Sequence, residues 1–161
     1  MVSLSTEALS AVSDIAALLR SRRVVPEQER WQLNHDYRRE ALKVMLETGA
    51  TYGEATGAPG TVSQTRDAEE FKRQLRAVDD DLTNQVRILR EGLSAYFAHG
   101  EWPAPYYAWR IGIILRKAKL PELEAEFLES WAAHFRNGPG ARYQAIAKRA
   151  IQARQLASRS R

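Results

Sequence analysis

Few side chains in this sequence are spaced to do chemistry together. Its three histidines, His35, His99 and His134, lie far apart, and none opens an H-E-x-x-H or comparable metal-ligand spacing. His35 and Arg39 sit one helical turn apart, which reads as a surface pair. The run Asp79–Asp81 gathers three carboxylates, but it lacks the glycine and closing glutamate of a calcium loop. Inside a helix those three side chains point in different directions and cannot converge on one ion, so they read as surface charge. Glu101, Glu124, Glu126, Arg110 and His134 are the candidates for acid–base work, grouped only by closeness in sequence. There is no nucleophile elbow, Walker A loop or dinucleotide fingerprint; "GAPG" and "NGPG" read as turns. Catalysis, a cofactor and a metal are therefore not expected.

Two other groups of residues stand out. Trp102, Tyr106, Tyr107 and Trp109 crowd the stretch "EWPAPYYAWRIGIILRK", where Pro103 and Pro105 stiffen the chain. They read as packing aromatics, with Trp102, Tyr106 and Trp109 as candidates for a protein partner's footprint. The second group is basic. The net charge is +4, yet from Arg136 onward there are seven arginines and lysines and no acidic residue, which leaves the preceding 135 residues at −3. A cationic terminal segment on a mildly acidic body raises the prospect of a polyanionic partner. Arg142, Lys148, Arg149, Arg154 and Arg159 are the candidate phosphate contacts within 136–161.

These residues must be carried on helices, because no stretch alternates polar and apolar residues convincingly enough for a strand. The reading is an all-α chain of five to six helices. A first helix over about 5–22 repeats apolar residues at Leu9, Val12, Ile15, Ala16 and Leu19. Pro26 suits the start of a second, with Leu33, Tyr37, Ala41, Val44 and Met45 on one side and Gly49 as its stop. Residues 49–64, rich in glycine, predict a mobile loop. Phe71, Leu75, Val78, Leu82, Val86, Leu89, Leu93 and Tyr96 then approximate a heptad seam, predicting one long third helix over about 67–98. At about 1.5 Å per residue it would span roughly 45–50 Å, longer than a compact domain of this size, so it either forms a spine or pairs with another chain. Leu82 and Leu89 are the seam candidates for self-association. The expected division is an N-terminal helical region, 1–100, and a C-terminal one, 101–161.

Residues 105–135 predict a tight helical hairpin with Pro121 opening its second helix. Tyr107, Ile111, Ile114 and Leu115 face Leu123, Phe127, Leu128 and Trp131, and Gly112 allows close approach. Burying each large side chain contributes roughly 1.5–3 kcal/mol. The spacing Ala108-x2-Ile111-Gly112-x2-Leu115 resembles the first half of a tetratricopeptide (TPR) repeat, with Ala108 where tryptophan is usual and Leu115 in place of tyrosine. The resemblance covers about 31 residues and implies a helical adaptor module that binds protein segments. A lone hairpin must stack on something, and the final helix, over about 141–156, is the expected cap.

Function follows as an expectation: a non-enzymatic interaction or assembly protein, binding another protein or itself. The alternative is a nucleic-acid-associated accessory protein working through 136–161. Cysteine is absent, the first helix lacks the positive start of a signal peptide, and no run of 18 apolar residues occurs. A cytoplasmic protein with no membrane partner is the expectation.

Overall fold

The computed structural model describes residues 4–57, 68–77 and 79–161. Among them it has eight helices: α1 (Thr6–Ser21), α2 (Glu27–Thr48), α3 (Tyr52–Thr56), α4 (Ala68–Ala77), α5 (Leu82–His99), α6 (Pro105–Lys117), α7 (Pro121–Phe135) and α8 (Ala141–Arg159). The all-α reading holds, and eight helices replace the expected five to six. Part of the glycine-rich loop is helical: the Thr51 hydroxyl accepts from the Glu54 amide and starts α3, and Gly57 ends it. The remainder of that loop, 58–64, and Val78 of the seam lie outside the described residues, as does the side chain of Leu75.

The second added boundary splits the long third helix into α4 and α5. Asp81 takes an extended conformation and its carboxylate accepts from the Asn84 amide at 3.1 Å, which makes it the N-cap of α5. Such a cap stabilises a helix start by about 1 kcal/mol. The other two aspartates are engaged by α6. The Tyr106 hydroxyl donates to the Asp79 carboxylate, and Arg110 donates to the Asp79 carbonyl at 3.1 and 3.0 Å. Arg110 also reaches Asp80 at 3.1 Å. "DDD" is thus a helix break with a partner for each residue, although Asp80 and Asp81 do remain exposed as surface charge.

The core is built around α7, which packs against α1, α6 and α8. Nine of its fifteen residues are buried, among them Phe127, Leu128, Trp131 and Phe135. A helix with this much of its surface covered sits at the centre of the bundle. Pro105 and Pro121 open α6 and α7 at the first turn, where a missing amide donor costs nothing. The hairpin packs as its sequence predicts: a Cβ on Gly112 would meet the Leu128 methyls at 3.3 Å. α8 covers it, burying Tyr143, Ile146, Ala150, Ala153 and Ala157. α5 closes the bundle against α6 and α1, and α2 then packs on α5.

Candidate functional site

The dispersed polar candidates do not converge. Glu124 is fully buried between two guanidiniums, Arg116 of α6 and Arg149 of α8, each at 3.0 Å from Oε1. Arg149 also donates to the Gly112 carbonyl, so this group bonds α6, α7 and α8 together. Burial, aided by the like charge of Arg116, pulls the Arg149 pKa down, while Glu124 opposes that fall. His134 is buried with Nε2 at 2.6 Å from the Leu19 carbonyl, which can only accept, so the proton sits on Nε2. Arg110 is held by Asp79 and Asp80, and Glu101 accepts from the Tyr52 hydroxyl at 3.1 Å. Among the described residues no group of three or more potential metal ligands occurs.

The aromatic candidates are half-buried and already engaged. Trp102 packs on Tyr96 of α5 and Tyr143 of α8, at 5.7 and 5.8 Å between ring centroids, with the Arg30 guanidinium 4.7 Å above its ring. It is therefore a joint between α5, α8 and the start of α2. Pro103 is buried, and its carbonyl accepts from the Tyr143 hydroxyl at 2.5 Å. Tyr106 is bound to Asp79, and burial with that bond pushes its phenol up to about 12. Trp109 carries Arg142 and Arg149 over its ring at 5.6 and 5.0 Å. Leu82 and Leu89 are 3 % and 1 % exposed inside the chain's own core. The α5 part of the seam, Leu82 to Tyr96, is therefore covered by the chain's own helices, so Leu82 and Leu89 offer no free surface.

The basic end is likewise partly neutralised. Arg154 forms paired bonds with Glu129 at 2.8 and 2.9 Å and reaches Glu122, and the Glu129 bonds hold its pKa above the ordinary value. Arg149 is committed to Glu124. Of the five candidate phosphate contacts, Arg142, Lys148 and Arg159 remain exposed without an ion pair among the described residues.

The surface that sequence reasoning passed over is α2. Its N-terminal half docks on the end of α5 through polar contacts. Arg30 donates to the Gly100 carbonyl at 2.8 Å and Asn34 to the His99 carbonyl at 3.3 Å. These satisfy two carbonyls left unpaired at a helix end and set a cation against the negative end of its dipole. Tyr37 stacks on His99 at 3.8 Å, and Gly100, at φ +70°, lets the Arg30 carbonyl approach where a Cβ would stand 2.4 Å away. Only Arg30 and Ala41 are buried along the 22 residues of α2. On the side turned away from α5, Trp31 and Leu42 are each 54 % exposed and Leu46 is 79 % exposed. Beside them a groove of about 640 Å³ runs between α2, α3 and the Gly100–Trp102 elbow, with Leu42, Met45, Tyr52 and Trp102 among its walls.

The signal was present but divided. Apolar residues of α2 fall on two faces; the set Leu33, Tyr37, Ala41, Val44 and Met45 reads as the packed side, leaving Trp31, Leu42 and Leu46 unassigned. No protein-family model, curated protein or solved structure matches the chain. No described helix is long and apolar enough to cross a membrane.

Proposed function

We propose that this chain is a non-enzymatic helical interaction module that takes a protein partner on an arm formed by α2 and α3. The TPR-like hairpin of α6 and α7, capped by α8, is its rigid base. One observation carries this reading: Trp31, Leu42 and Leu46 stand exposed along one side of a helix whose opposite side is docked. Isolated exposed hydrophobics need no explanation, but three on one side of one helix form a stripe.

Magnitudes say how much of the arm a partner must use. Covering the exposed parts of these three side chains contributes roughly 3–6 kcal/mol before costs. Association itself costs an estimated 4–15 kcal/mol. The stripe alone falls short, so the groove with Met45, Tyr52 and Trp102 belongs to the same footprint. Trp102 thereby keeps the partner role expected of it, as an edge of the groove. A nucleic-acid role would rest on Arg142, Lys148 and Arg159, and their spread along α8 supports it less.

The test is capture from a host lysate on the immobilised full chain, beside a Leu42→Glu/Leu46→Glu variant of unchanged melting temperature. Proteins retained by the first and lost by the second are the expected result. Identical sets of captured proteins would remove the arm as the docking surface.

A further inference from the structure

The charge around the stripe specifies what chemistry would cover it. Successive residues of a helix advance by about 100°. On that wheel Trp31, His35, Leu42 and Leu46 fall within about 60° of one another, and Arg38 and Arg39 flank them on either side. Asp36, Glu40 and Glu47 lie more than about 100° from the centre of the stripe. Neither Arg38 nor Arg39 has an ion-pair partner among the described residues, and both are exposed. Glu101, the carboxylate on the groove wall, is turned to the Tyr52 hydroxyl. The Trp31 ring is already stacked on His35, at 5.0 Å and 18° between planes, so one end of the stripe is ordered before anything binds.

A second copy of the chain is the first occupant to consider. In a two-fold antiparallel pairing of α2 with itself, Trp31 would meet Leu46 and His35 would meet Leu42, which fits. The centre of that pairing falls between Arg38 and Arg39, however. Four guanidiniums from two chains, none of them in an ion pair among the described residues, would then be brought together, and like charges juxtaposed at an interface cost several kcal/mol. The apolar spacing permits self-pairing and the charge forbids it.

We propose that the arm binds an acidic amphipathic helix of a different protein. That helix lies along α2, with apolar side chains on Trp31, Leu42 and Leu46 and carboxylates paired to Arg38 and Arg39. This rests on the reading of the arm as the docking surface and adds the chemistry of its occupant. An apolar helix face laid along a hydrophobic strip is an established recognition mode, and flanking ion pairs supply orientation and partner choice.

Two synthetic helical peptides test it, identical in leucine spacing, one with glutamates flanking the leucines and one with lysines. Binding to the full chain is read from peptide anisotropy and Trp31 emission, with Trp31→Phe as the reference. The glutamate peptide is expected to bind about tenfold tighter or better, with the difference shrinking as salt rises. Arg38→Glu/Arg39→Glu is expected to invert the preference, and Leu42→Glu to abolish binding of both peptides. Equal binding, no binding, or a preference that survives the charge reversal overturns the proposal. Light scattering closes the remaining route: a dimer that Leu42→Glu dissolves would assign the stripe to a second copy and overturn it too. If lysate capture still depends on Leu42 while the peptides bind equally, the inference about charge fails and the arm stands; capture indifferent to Leu42 removes the arm itself.

Discussion

α7 and α2 are both amphipathic on paper, but they stand in opposite relations to the rest of the chain. α7 buries nine residues in fifteen and packs against three other helices; α2 buries two in twenty-two and is held near one end. The first is fixed by interlocking side chains, with Trp131 stacked on Tyr143 at 5.4 Å and Phe135 edge-on to Tyr96 at 4.8 Å. The second is fixed by backbone carbonyls, one guanidinium and a glycine that admits close contact. Apolar packing leaves no free face and gives the base its rigidity. Polar docking at one end leaves a long face uncovered, which is what a binding arm requires.

The comparison breaks hardest at Glu124. Glu124→Gln leaves Arg149, itself largely buried, beside Arg116 without a counter-charge. Removing one partner of such a pair costs about 3–5 kcal/mol. At about 2–4 °C per kcal/mol for a chain of this length, the melting temperature should fall by roughly 10 °C. A melting temperature that does not move would mean both guanidiniums swing to solvent, and the base would then not depend on the group. Tyr143 gives a smaller, pH-gated effect in the same region. Burial pushes its phenol up to about 12, against roughly 10 in the unfolded chain. The stabilisation is full below about pH 10 and is lost as pH rises toward about 12, amounting to roughly 2–3 kcal/mol. Tyr106 shifts in the same direction, so Tyr143→Phe should reduce the alkaline fall in melting temperature without abolishing it. A wild-type melting temperature flat across that interval would contradict the burial argument.

Local signals made the base legible and hid the arm. Pro105, Pro121 and Gly49 mark helix ends by backbone rules that need no partner, and each stands where it was expected. The hairpin contacts also follow from spacing, because the two helices are joined by a tight turn. The break at Asp79–Asp81 was missed because the groups that hold it, Tyr106 and Arg110, lie 27 to 31 residues downstream. A seam that runs through a break still has the spacing of one helix. Glu124 stood among the acid–base candidates on closeness in sequence alone, and its buried ion pairs were hidden for the same reason, its partners being at 116 and 149. The stripe on α2 failed differently. Periodicity finds an apolar face but cannot say which of two faces the rest of the chain will cover.

The two weakest predicted effects separate arm from base most sharply. Gly100→Ala forces a Cβ toward the Arg30 carbonyl from a left-handed conformation, at a cost of about 1–3 kcal/mol. Because that contact joins only α2 and α5, hydrogen exchange should quicken along Glu27–Thr48 while amides of α7 keep their protection. Equal acceleration in both helices would mean the arm and base unfold as one unit. Leu46→Ala is the smallest. A leucine truncated inside the base, as in Leu128→Ala, costs about 2–5 kcal/mol because it leaves a cavity. Leu46 has almost no neighbours to lose, so its truncation should change stability by less than about 0.5 kcal/mol. Chemical denaturation of the two variants side by side measures the contrast directly. A Leu46→Ala loss approaching that of Leu128→Ala would show the stripe already covered in the isolated protein, and the arm would then be part of the core.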